Sequence, residues 1–136
     1  VRHPRNEFQL EEAGLVMART RASAKAAGAR FERVIADYLA AELDDYIDRK
    51  VRTGAKDTGD IGGVRVRSRR LVLECKDVSR MALPEWTAEA KLEAENDGSV
   101  AGLVVHKRHG NAKPGDQWVT CTVDDLIAVL KAARDV

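Results

Sequence analysis

"RLVLECKDVS", residues 70–79, sets the frame for the whole chain. An apolar strand pattern runs straight into a carboxylate and an ammonium two residues apart. Side chains alternate along a strand, so Leu71, Leu73 and Cys75 share one face and Val72, Glu74 and Lys76 the other. Glu74 and Lys76 thus stand side by side in what otherwise reads as core. Burying a charge costs several kcal/mol unless it is paired or binds a metal. The plain reading is an ion pair at the end of an edge strand.

Working outward, "VRVR" (64–67) is a second strand joined to the first by a turn near Ser68. Before it lies "RTGAKDTGDIGG" (52–63), a loop rich in Gly and Asp. From Ser23 to Tyr46 the pattern is helical: Phe31, Val34, Ile35, Tyr38, Leu39 and Leu43 recur at spacings of three and four and form one apolar stripe. Downstream, "LPEWTAEAKLEAENDG" (83–98) reads as a helix, with Pro84 acceptable in its first turn and Gly98 past its end. "VAGLVVHK" (100–107) is a continuous apolar run suited to a central strand covered on both faces. "HGNAKPGD" (109–116) is a turn-rich loop and "QWVTCT" (117–122) another strand. Thr122 can cap a last helix, "VDDLIAVLKAARD", with Asp125 at its third position. With a further strand around "DRKVR" (48–52), the order α β β β α β β α predicts an α/β domain, a mixed β-sheet flanked by helices.

At 136 residues the chain fits one such domain, with residues 1–20 as an N-terminal arm or partial helix and 21–136 as the domain proper. Apolar content of 44% and charged content of 33% are ordinary for a globular protein. No apolar run approaches the roughly 20 residues of a membrane span, and the N-terminal stretch has no apolar core of a secretory signal. Two cysteines without a CxxC pair suggest reduced thiols and a cytoplasmic, intracellular location rather than structural zinc. Residues 1–80 carry 17 Lys/Arg against 13 Asp/Glu; residues 81–136 carry 6 against 9. The basic excess gathers in "RHPR", "RTRASAK" and "RVRSRR", clusters that can meet phosphates or simply stay solvated.

Asp60 raises the interest of Glu74. Thirteen residues separate it from Glu74, and a hairpin of that length returns Glu74 to its neighbourhood. Two carboxylates converging beside a lysine suit a hard divalent cation such as Mg²⁺. Such an ion lowers the pKa of bound water and stabilises charge developing on a phosphoryl group. Asp60, Glu74 and Lys76 resemble the D…ExK core of the PD-(D/E)XK nuclease superfamily. "GARFERVIADYLA" (28–40) is similar to the helix that precedes this core in archaeal-type and phage Holliday junction resolvases. The similarity spans roughly residues 25 to 130.

The resemblance implies a restriction-endonuclease-like fold and hydrolysis of phosphodiesters with Mg²⁺ or Mn²⁺, with no nucleotide cofactor. Asp60, Glu74 and the backbone carbonyl of Cys75 would hold the metal, Glu32 would complete the shell directly or through water, and Lys76 would orient the attacking water. Arg30, Arg33, Arg52, Thr53, Lys56, Lys107 and Arg108 would face DNA. Branched DNA, four-way junctions first, would be the substrate of a homodimer nicking opposite strands, since a two-fold enzyme matches a pseudo-symmetric junction.

This chain also departs from the family pattern. Gly59 rather than Pro precedes Asp60, and Asp57 is a rival first acid, although Asp60 sits closer to the strand. Relatives often draw a Gln or Lys from the helix after ExK; here Trp86, Glu89 and Lys91 occupy that place. Glu85, Glu89 and Glu93, four apart, read as a solvated face, because like charges at that spacing repel mildly. His106 and His109 read as loop histidines near phosphate. Cys75 reads as a small core residue, and Trp86 and Trp118 either stack on bases or pack. Flap, single-strand or duplex nucleases of the same fold, an inactive DNA-binding module, and an unrelated α/β binding protein remain as alternatives.

Overall fold

The computed structural model describes residues 20–51, 54 and 56–135. The arm expected at 1–20 lies outside them but for Thr20. Among the described residues the chain is an α/β domain whose mixed six-stranded sheet is flanked by three helices.

Helix α1 spans Arg21–Glu42. Thr20 caps it, its hydroxyl accepting from Ser23 N at 3.0 Å. Phe31, Ile35 and Ala36 are buried and Leu39 packs against them, but Val34, Tyr38 and Leu43 are exposed. The helix ends sooner than its apolar spacing predicts. Asp44 takes over the backbone by accepting from Tyr46 N at 2.9 Å, a local turn that competes with helix.

Four strands follow: β1 (Asp48–Arg49), β2 (Ile61–Gly62), β3 (Arg65–Val66) and β4 (Arg69–Lys76). The two-residue β2 falls inside the stretch expected to be loop. It forms because Ile61 pairs antiparallel with Leu73 and is fully buried there. Helix α2 (Leu83–Asp97) crosses to β5 (Ala101–His106), which pairs parallel with β4. Gly98 ends α2 in the left-handed region at φ 69°, as the sequence predicts. A short turn at Pro114–Asp116 leads to β6 (Trp118–Thr120), antiparallel to β5, and then to α3 (Val123–Arg134). Thr122 caps α3 by accepting from Asp125 N at 3.2 Å.

The strand order β1-β2-β4-β5-β6 places β4 and β5 at the centre. Their alternation sorts the core into two layers. Leu71, Leu73 and Cys75 join Ala101 and Val105 against α1 and α3, with Phe31, Ile35, Ala128 and Val129. On the opposite face Val104 meets Trp86 and Ala90 of α2. Gly102 lets α2 lie directly on β5, since a Cβ there would meet the Ala90 carbonyl oxygen at 2.1 Å. That close seating aims the polar positions of α2 at the end of β4.

Candidate functional site

Strand β4 delivers Glu74 and Lys76 to the face covered by α2, as the alternation predicts. Glu74 is 4% exposed and Lys76 is half-buried, with Lys76 Nζ 3.5 Å from Glu74 Oε1. Lys76 pairs more closely with Glu89, at 2.8 and 3.2 Å from its two oxygens. It is not simply the Glu–Lys pair that the strand suggests, but an ammonium held between a strand carboxylate and a helix carboxylate.

Asp60 enters from the residue before β2. Its backbone N donates to Leu73 O, and its Oδ2 accepts from Cys75 N at 2.7 Å. This welds the first acid to the ExK strand. Burial pushes the Asp60 carboxyl up to about 8, with the Glu74 and Glu32 charges adding to the rise and the Cys75 N–H opposing it. Burial likewise lifts Glu74 to about 9, helped by Glu93 and Glu89 and opposed by Lys76. For Lys76, burial works against the charged form, but the hydrogen bond to Glu89 and the Glu74 charge outweigh it and hold the pKa above its usual value.

Glu32 shares a cleft with Asp60, Arg49 and Lys50. One of its oxygens is taken by Arg49, which bonds it at 3.0 Å through both Nε and Nη2. Cys75 is buried on the opposite face and its thiol is pushed up by burial, consistent with a small core residue.

The main correction concerns α2. Glu93 is not on a solvated face: it is 1% exposed and points under the loop that holds Asp57 and Asp60. Oxygens of Asp57, Glu74, Glu89 and Glu93 all lie within 4.8 Å of one another. Glu74 Oε2 and both oxygens of Glu93 are buried with no hydrogen-bond partner among the described residues. Burial raises the Glu93 carboxyl to about 7, and Glu74 and Glu93 can bond each other only by sharing a proton. Asp57, the rival first acid, is the one that joins this group, with its Oδ1 accepting from Gly59 N at 3.0 Å. Of the three, only Glu85 is exposed as expected.

The sequence did carry a signal for Glu93. It falls within the stripe of Trp86, Ala90 and Ala94, the buried side of α2, where an apolar residue belongs. The loop carrying Asp57 is fixed by the end of the same helix. Asn96 donates to Asp57 O at 3.0 Å, and Lys50 reaches both Thr58 O, at 2.8 Å, and Asp97, at 3.2 Å. Gly59 sits at φ 96° in this turn, where a Cβ would strike Val72.

The basic residues are less concentrated than the sequence suggests. Arg33 is tied to Asp37 and Asp48, at 3.0 and 2.7 Å. Arg30 and Lys56 are exposed; Arg52 and Thr53 lie outside the described residues. Lys107 donates to Asn111 O, and Arg108 lies 4.8 Å over the exposed Trp118 ring. "RVRSRR" belongs to the far end of β4, where Arg70 and Arg69 stand about 13 and 17 Å from Glu74 at the usual rise per residue. There Arg67 bonds Ala133 O, and Arg69 and Arg70 pair with Asp135 and Asp97. Arg67, Arg69 and Arg70 thus hold the hairpin to the helix ends rather than flanking the acidic centre.

His106 is not a loop histidine. It ends β5, is buried, contacts Thr120 Oγ1 at 2.7 Å and packs on Trp86 at 5.3 Å. Burial holds it below the usual imidazole range. Trp86 is thereby committed to packing, and exposed His109 meets Val78 O at 2.9 Å. Among the described residues no helix is long and apolar enough to cross a membrane. Compared with protein-family models, curated proteins and solved structures, the chain matches none.

Proposed function

We propose that this domain is a divalent-metal-dependent phosphodiester hydrolase acting on branched DNA, with a restriction-endonuclease-like fold and four-way junctions as its first substrate. The observation that carries the reading is the buried carboxylate of Glu74, beside Asp60 and 3.5 Å from Lys76, with one oxygen lacking any partner among the described residues. Buried carboxylates gathered this densely are costly without a cation or shared protons, and oxygen-only donors suit Mg²⁺ or Mn²⁺.

Asp60, Glu74 and the Cys75 carbonyl would hold the metal, with Glu32 contributing directly or through water from the α1 side. Bound there, the ion would supply an acidified water and stabilise charge on the phosphoryl group. The chain's own residues do the rest. Cys75 N fixes Asp60, Glu89 holds Lys76 at the mouth of the site, and Lys76 is placed to donate to the attacking water or a phosphate oxygen. Arg30, Lys56, Lys107 and Arg108 are left to meet the DNA backbone, whereas Arg33 is already paired.

A homodimer is part of the proposal, because paired nicks across a junction need two sites. A stripe of exposed apolar residues on α3, Val123, Leu126, Ile127 and Leu130, offers a surface that a second copy could bury. The test is cleavage of labelled four-way junction, flap and plain duplex DNA with and without Mg²⁺, alongside Glu74→Ala. Metal-dependent, symmetric nicks on the junction, lost in the variant, are expected. Nicks confined to flap or duplex would overturn the substrate, unpaired nicks the two-fold assembly. No cleavage with Mg²⁺ or Mn²⁺ would overturn hydrolysis itself.

A further inference from the structure

We infer that Asp57, Glu74, Glu89 and Glu93 form a divalent-cation seat of their own on the α2 side of Glu74, with Glu93 as its innermost ligand. Three separate elements converge there: the turn before Gly59, strand β4 and one face of α2. Their oxygens lie within 4.8 Å of one another. Oxygens on opposite sides of a six-coordinate Mg²⁺ stand about 4.2 Å apart, and across Ca²⁺ about 4.8 Å, so the cluster spans the distance a hard divalent ion bridges.

Acidic side chains often gather on surfaces without binding anything. Glu93 is different. It is 1% exposed, and neither of its oxygens has a hydrogen-bond partner among the described residues. A buried carboxylate with no donor is among the costliest groups a fold can hold, and it points straight into the cluster. The site is also braced from behind: Gly59 leaves room for Glu93 Oε2, which lies 3.5 Å from where a Cβ would be, and Asn96 anchors the Asp57 backbone. Lys76 bonds into the group at Glu89, 2.8 Å from its nearer oxygen, and does not reach the oxygens of Glu93.

The inference shares Glu74 with the proposed hydrolytic site but does not require hydrolysis, so it is read without DNA. Mn²⁺ is titrated into wild-type protein, Glu93→Gln and Glu32→Gln, with free Mn²⁺ followed by electron paramagnetic resonance. Wild type is expected to bind an ion whose affinity drops at least about tenfold in Glu93→Gln, the scale that even an outer-sphere partner carries. Glu32→Gln should keep that ion. Glu89→Gln, at a half-exposed position, serves as a second variant and should also weaken it. Wild-type protein that takes up no Mn²⁺, or Glu93→Gln that binds it as wild type does, would overturn the seat. If Mn²⁺ binds as expected but no DNA is cut, the seat stands and the nuclease reading fails. Cleavage by a Glu93→Gln protein of unchanged Mn²⁺ affinity would show the reverse.

Discussion

At the residue scale, the molecule is organised by an excess of buried carboxylate over available donors. Asp60, Glu74 and Glu93 all have their pKa raised, burial being the largest cause for each. An acid whose folded pKa exceeds its unfolded value binds more protons in the native state. The stability it adds is complete below the unfolded value, near 4, and is lost as pH climbs through the folded one. For these three groups that window runs from about 4 to about 9. Metal-free protein should therefore unfold at progressively lower urea concentration as pH rises through this range. Saturating Mg²⁺ or Mn²⁺ should flatten the slope, because an ion replaces the shared protons. A urea midpoint that rises with pH in the metal-free protein would contradict the burial of these carboxylates.

At the element scale, α2 decides where the acids go. The helix was legible from its ends, Pro84 and Gly98, because those residues act through local backbone chemistry. The direction of its glutamates was not. A Glu every four residues normally marks a solvated face, and only the crossing of α2 over β4 and the 57–60 turn buries Glu93. Helix α1 shows the converse error: its apolar spacing runs on to Leu43, but Asp44 ends it locally. Strand β2 was hidden because Ile61 and Gly62 form a strand only through pairing with Leu73, a contact distant in sequence. The seating of α2 on β5 is itself testable. Gly102→Ala forces a methyl group into the Ala90 carbonyl, and overpacking against backbone costs about 3 kcal/mol. The melting temperature should fall by ~10 °C and Mn²⁺ affinity should fall with it, as α2 lifts its acids away. A variant with unchanged melting would show that the helix is not seated so tightly.

At the scale of the whole molecule, the sheet divides the labour. One face carries the apolar core against α1 and α3, and the other gathers charge beneath α2. That division was readable in "RLVLECK" alone, since Leu71, Leu73 and Cys75 do go to the core and Glu74 and Lys76 to the opposite side. What a strand's alternation could not supply was the company on the polar face, which arrives from the 57–60 turn and the second helix. The central claim is that this company exists to hold a cation. Its most direct test is crystallography of the protein soaked in Mn²⁺, with anomalous scattering recorded at the acidic centre. The account predicts an anomalous peak about 2.0–2.3 Å from a Glu74 oxygen, near the usual range for oxygen ligands of hard divalent ions. Difference maps with no peak there, and with Glu74 and Glu93 close enough to share a proton, would contradict it.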